Sequence, residues 1–297
     1  MNKDFGEEVA ARIGQIQEIL EKYLPKGEGR QKTVIEAMNY SVRAGGKRLR
    51  PMLMWETYRM FGGRSKVIEP FMAAIEMIHT YSLVHDDLPA MDNDEFRRGK
   101  KTTHAQYGEA MGILAGDGLL NYAFETAAGA FEIEPGNMQI GKAISVLAGK
   151  AGIHGMLGGQ CVDVESEGKV VTEETLQFIY RLKTGALLEA SMLIGAILAG
   201  ATQGEQQKVE QAAGELGLAF QIQDDILDVV STTEDLGKPV GSDAKNHKTT
   251  WVTLFGIEQA KQEVEELSKH SVALIDTLVV KNEFLTTLMI DLIHRKK

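Results

Sequence analysis

Six aspartates in two short clusters carry the strongest chemical signal in this chain. The first cluster is Asp86-Asp87-Leu88-Pro89-Ala90-Met91-Asp92 and the second is Asp224-Asp225-Ile226-Leu227-Asp228. Each sets three carboxylates in otherwise apolar sequence, where desolvating an unpaired charge is costly. Such groups call for a compensating cation, and hard oxygen donors call for a hard one. Magnesium suits them, because it takes one or two carboxylates and completes its shell with water and substrate phosphates. Two facing clusters would make a multi-metal clamp for a phosphorylated substrate. The competing reading, solvated helix ends or caps, suits a lone Asp-Asp pair better than two triplets.

On a helix, positions 224, 225 and 228 fall at about 0°, 100° and 40°, so all three carboxylates leave one face. Asp92 would swing to about 240° from Asp86 on a straight helix. Pro89 must kink or end that helix, and the break could return Asp92 to its partners.

Cations flank the acids. Gly45-Gly46-Lys47-Arg48-Leu49-Arg50 joins two glycines, which let backbone N–H groups approach a ligand, to three cations. Arg97-Arg98-Gly99-Lys100 follows the first cluster directly. Arginine suits bidentate phosphate contacts and lysine supplies a point charge; either run alone would read as solvated surface. The layout suggests two anion sites, one bridged by metal and one bound directly. His79, two turns before Asp86, could donate to a phosphate or be a packed core histidine. Lys183-Thr184-Gly185 interrupts an apolar helix, and a lysine there needs an anion or a dipole. Phe220 and Gln221 lie one turn before the second cluster, although Gln221 could equally serve a buried structural hydrogen bond. No nucleophile elbow and no phosphate-binding loop of the Walker type occurs, so the chemistry should be electrostatic, drawing off a diphosphate leaving group.

The elements that must hold these residues are helical. Phe5, Val9, Ile13, Ile16 and Leu20 repeat at helical spacing up to Pro25, and Val34, Ile35, Met38 and Val42 repeat it before a C-cap at Gly45-Gly46. Pro51 and Pro70 mark helix starts. A buried helix should run from Phe71 into the first acidic cluster. Further helices are expected near 105–132, 138–157, 173–200, 205–231, 249–256, 258–279 and 281–294, with Thr172 followed by two glutamates starting the longest. No convincing strand appears and no low-complexity linker divides the chain. The expectation is an all-α helical bundle, one domain over residues 1–297, around a central active cavity.

Composition narrows the class. The 297 residues are 43% hydrophobic, and 42 acidic against 32 basic residues give a net charge of −10. That balance disfavours nucleic acid, and it fits a diphosphate only once about three divalent ions are counted. The 13 methionines serve as core filler, or as adaptable packing around a flexible apolar ligand. The single cysteine, Cys161, fits a reducing compartment. No membrane span or signal peptide is expected, which points to the cytoplasm.

From residue 38 to about 250 the motifs resemble the trans-prenyl diphosphate synthases, most closely the bacterial farnesyl type. The matching segments are Gly45 to Pro51, Glu76 to Asp92, Arg97 to Lys100, Lys183 to Gly185, Phe220 to Asp228, Gly237-Lys238-Pro239 and Gly241-Ser242-Asp243. The resemblance implies an all-α homodimer that condenses an allylic diphosphate head to tail with isopentenyl diphosphate. It implies Mg²⁺ on Asp86, Asp87, Asp92, Asp224 and Asp228, with Asp225 supporting. Arg97, Lys183 and Lys238 would hold the allylic diphosphate. Gly46, Lys47, Arg50, His79 and Arg98 would take isopentenyl diphosphate without metal. Thr184 and Gln221, beside Phe220, would steady an allylic cation. Tyr81 would stop the chain at fifteen carbons, whereas helical geometry alone favours Ser82, about 40° from Asp86. Lys101 replaces a common proline and Trp251 a frequent tyrosine, so local loop shape is where the chain should differ. The basic tail from His294 to Lys297 would fray, or close over isopentenyl diphosphate. A geranylgeranyl synthase differs only in its pocket. A terpene cyclase would not need the second anion site, and a non-catalytic subunit would have lost one acidic motif.

Overall fold

The computed structural model describes residues 3–230 and 249–293. These fold almost entirely as helices: α1 Lys3–Tyr23, α2 Lys32–Val42, α3 Leu49–Met60, α4 Ile68–Asp86, α5 Thr103–Tyr107, α6 Glu109–Ala128, α7 Ala130–Ile133, α8 Met138–Ala151, α9 Met156–Glu165, α10 Glu173–Ile179, α11 Ala186–Leu198, α12 Gln203–Val230, α13 Trp251–Phe255, α14 Ile257–Asp276 and α15 Glu283–Ile293. A π-helical segment, Tyr180–Gly185, joins α10 to α11. The expected all-α fold is what is observed. No helix among the described residues is long and apolar enough to cross a membrane.

The chain divides into two compact units, one of residues 1–55 and 65–144, the other of 56–64 and 145–297. In the first, Phe71, Met72, Ile75 and Ile78 of α4 are fully buried, and α6 packs along α4 with its own Ala115, Leu119, Ala123 and Ala127 fully buried. Small residues on α6 let two helix backbones approach closely. In the second unit every residue of α11 except Glu189 is buried, as an all-round apolar helix requires. Helix α12 packs on α11 and α14. Pro51 and Pro70 sit in the first turns of α3 and α4, where a missing N–H costs no hydrogen bond. Thr172 caps α10 by accepting from the Thr175 N–H.

Four expectations need correction. Helix α2 ends at an Arg43 C-cap, and Gly45-Gly46 form the loop beyond it. The helix expected over 138–157 stops at Ala151, because Gly152 and Gly155 bound a turn, and a separate α9 then forms despite its glycines. The stretch 105–132 is broken at Gly108, whose φ of 87° no helix adopts. A two-stranded hairpin pairs Phe96–Arg97 (β1) with Lys100–Lys101 (β2). Its turn residues, Arg98 and Gly99, both have positive φ (53° and 73°), which matches strand twist in a two-residue loop.

Candidate active site

In the first unit, α4 delivers the first acidic cluster and ends as Pro89 demands. Asp86 is its last residue and Asp87 its C-cap. The chain then folds back until the Asp92 N–H donates to the Asp86 carbonyl at 2.8 Å. The return of Asp92 expected from Pro89 therefore occurs. The three carboxylates differ in setting: Asp86 is half-buried, Asp92 exposed, and Asp87 only 3% exposed. Asp87 accepts from Arg97 Nε at 2.7 Å. Burial nonetheless outweighs that guanidinium and raises the Asp87 pKa above its ordinary value.

A basic cradle lies in the same unit. Arg98, in the left-handed region, donates to the Gly45 carbonyl. Gly46 has a φ of 137°, which favours glycine, and a Cβ there would also meet the Arg98 guanidinium at 2.6 Å. Arg48 turns inward, pairing with Glu76 at 2.7 Å and donating to the Val42 carbonyl and Gln17. It is thus a structural cation. Burial lowers the Arg50 pKa to about 10, with Arg98 adding to the shift against Glu76. Arg50 Nε is buried with no hydrogen-bond partner among the described residues. His79 is held well below 6.5, first by burial and then by Arg50, Arg98, Arg48 and Arg97. Two buried carboxylates, Glu76 and Asp87, thus face Arg48, Arg50, Arg97 and Arg98, so cations outnumber anions in this set.

His79 is accordingly neutral at physiological pH. Its imidazole resonances should not titrate from about pH 6 to about pH 8, and Arg50→Met should raise its pKa. A wild-type midpoint near 6.5 in an NMR titration would contradict this. Because the unfolded chain binds this proton more tightly, the stabilisation is complete above about pH 6.5 and declines as pH falls toward the folded value.

In the second unit, a cavity of about 130 Å³ is lined by Asp163, Lys183, Thr184, Gln221, Asp225 and Thr250 among others. The π segment interrupts the helix expected over 173–200 and carries Lys183 and Thr184. Single π turns are inserted in helices chiefly at functional sites. Lys183 Nζ lies 2.5 Å from Asp163 Oδ2, which supplies an anion to the half-buried lysine. Helix α9 holds Lys183 twice, since a Cβ on Gly159 would sit 2.2 Å from the Lys183 backbone nitrogen. Sequence reasoning gave the need of Lys183 for an anion but neither its partner Asp163 nor Gly159, which lets α9 approach. Thr184 donates to Gln221 Oε1 at 2.7 Å, joining the two residues expected to act together. Phe220 is half-buried beside Gln221.

Helix α12 runs unbroken through the second acidic cluster. Asp224 is half-buried, and Asp225 and Asp228 are buried. Asp225 Oδ2 accepts from the Tyr180 hydroxyl at 2.6 Å and from the Trp251 N–H at 2.9 Å. Asp225→Ala would strand both buried donors and should cost about 3 kcal/mol in urea unfolding, whereas Asp225→Asn should cost about 1. Equal, negligible losses would show that these bonds do not hold α13 to α12. Trp251 also tilts against Phe255 (centroids 4.9 Å apart) while its indole Nε1 is buried with no hydrogen-bond partner among the described residues, and Tyr40 donates to the Lys101 carbonyl at 2.7 Å.

Among the described residues, no three carboxylate, imidazole or thiol groups form a ready-made metal cage. The donor set still fits magnesium, which needs only one or two carboxylates beside phosphate oxygens and water. Tyr81 is 6% exposed on α4, and Ser82 donates to the His79 carbonyl of its own helix at 2.9 Å. Lys238, Gly241 to Asp243 and the tail from His294 lie outside the described residues.

The polyprenyl synthetase family model matches residues 31–277. The chain belongs to that family. It is 47% identical over 253 residues to a farnesyl diphosphate synthase of Geobacillus stearothermophilus, covering 84% of each chain. It is 46% identical over 253 residues to a geranylgeranyl diphosphate synthase of Cyanophora paradoxa, covering 85% of this chain and 83% of the relative. A solved FPP/GFPP synthase from Zymomonas mobilis superposes with a TM-score of 0.85 at 31% identity, covering 97% of this chain and 98% of the other. The matched span contains both acidic clusters, the basic cradle and the Lys183 turn. As a member of the family, the protein is a prenyltransferase of the trans-prenyl diphosphate synthase type.

Proposed function

We propose that the protein is a farnesyl diphosphate synthase. It condenses dimethylallyl or geranyl diphosphate with isopentenyl diphosphate, head to tail, and releases diphosphate. The observation that carries this reading is the cluster of Arg50, His79 and Arg98 in the first unit, set apart in sequence from the Lys183 turn. Two cationic sites suit two diphosphates.

Asp86, Asp87, Asp92, Asp224 and Asp228 would bind Mg²⁺, with Asp225 in support. When bound, the ions neutralise the allylic diphosphate and make it a better leaving group. Arg97, Lys183 and Lys238 hold that diphosphate. Lys183 exchanges its Asp163 partner for a diphosphate oxygen, and α9 keeps its backbone fixed while it does so. The cradle grips isopentenyl diphosphate without metal, through the charges of Lys47, Arg50 and Arg98 and one neutral N–H donated by His79. The allylic C–O bond breaks and its electron pair leaves with diphosphate. The double bond of isopentenyl diphosphate then forms the new C–C bond, and the released diphosphate takes the proton lost on re-forming the alkene. Through this sequence the Thr184 hydroxyl and the Gln221 carbonyl present fixed dipoles to the developing positive charge. Tyr81 bounds the product at fifteen carbons. The enzyme works as a homodimer in the cytoplasm.

The test is diphosphate release measured with each component omitted in turn. Release should require geranyl diphosphate, isopentenyl diphosphate and Mg²⁺ together. Release from geranyl diphosphate alone would instead indicate a cyclase.

A further inference from the structure

We infer that Gly116, on α6, is a specificity-determining position that sets product length through His85. This rests on the reading of Tyr81 as the chain-length stop. Tyr81 and His85 stand one turn apart on α4, with ring centroids 5.8 Å apart and an interplanar angle of 82°, an edge-on contact. His85 is in turn fixed from α6. Its Nε2 lies 3.1 Å from the Ile113 carbonyl and 3.8 Å from Asp117 Oδ1. The imidazole lies over Gly116, where a Cβ would meet Nε2 at 2.0 Å and Cδ2 at 2.3 Å. No side chain larger than hydrogen fits beneath the ring in this position.

A methyl group at 116 therefore evicts the imidazole. The α6 backbone cannot retreat, because Ala115 and Leu119 on either side of Gly116 are fully buried. The histidine ring can move, since its side chain is 30% exposed. Moving it breaks the contacts with Ile113 and Asp117 and removes the edge-on support of Tyr81. The tyrosine ring then has room to rotate, and an additional isoprene unit can pass. Gly116 acts here as a positioning residue: it touches no reacting atom and works by letting His85 hold the stop.

The experiment compares Gly116→Ala, His85→Ala, their double mutant and Tyr81→Ala, with products from geranyl and isopentenyl diphosphates dephosphorylated and sized. Gly116→Ala should raise the ratio of twenty- to fifteen-carbon product about fivefold, the factor matching one ordinary aromatic contact. The double mutant should match His85→Ala alone, because the two changes act on one element. Gly118→Ala, on the same helix but facing the flexible Met38 sulfur, should leave the ratio unchanged. If Tyr81→Ala lengthens the product while Gly116→Ala and His85→Ala do not, the inference is wrong and the stop stands. If Tyr81→Ala itself changes nothing, the stop is wrong and this inference goes with it. Should Gly116→Ala not fold, His85→Ala alone still decides, because it opens space instead of filling it.

Discussion

Asp92→Ala is expected to lower kcat by about 10²–10³-fold, the range seen when one preorganised electrostatic partner of a transition state is removed. Its melting temperature should not move. Asp92 is exposed in the turn after α4, where the fold gains little from its carboxylate. Raising Mg²⁺ should recover part of the activity, because a missing ligand weakens the ion without abolishing its site. Wild-type kcat at subsaturating Mg²⁺ would remove Asp92 from the set of ligands. The contrast with Asp225 is informative. Asp225 is tied to Tyr180 and to the Trp251 backbone, so its loss should appear in stability as well as in rate. Two aspartates of the same motif type are thus separated by whether the fold already uses them.

Tyr81→Ala should change the main product from fifteen to twenty carbons or more. Tyr81 is buried five residues before Asp86, about 7.5 Å back along the helix. Its ring and hydroxyl occupy more space than the five carbons of one isoprene unit, so truncation admits at least one more addition. Turnover should stay within about tenfold of wild type, since the diphosphate-binding groups are untouched. Analysis of the alcohols after dephosphorylation reads the result, and an unchanged farnesol peak would show that another residue ends the chain. Ser82, which helical angle alone favours, is half-buried and donates its hydroxyl to the His79 carbonyl of its own helix.

Much of this was legible in the sequence, for identifiable reasons. Helical periodicity located most helices, and Pro89 foretold both the end of α4 and the return of Asp92. The need of Lys183 for an anion was also legible, but the partner was not, because Asp163 lies 20 residues away on a helix whose glycines disguise it. Glycine is a poor helix former in isolation, yet in α9 Gly159 lets the helix approach the Lys183 backbone. The π segment was hidden for a related reason: a one-residue insertion leaves the apolar pattern of residues 173–200 nearly intact. Arg48 reads as one of three equal cations, yet the left-handed backbone at that position (φ 49°) turns it toward Glu76. Such partnerships depend on tertiary approach, which spacing along one helix does not encode.

The most direct test of the account is to size the product made from geranyl diphosphate and isopentenyl diphosphate with Mg²⁺ present. Farnesol as the dominant alcohol after dephosphorylation is the predicted result. Predominantly geranylgeraniol would keep the chemistry and contradict the Tyr81 stop, and no elongation at all would contradict the assignment of both diphosphate sites.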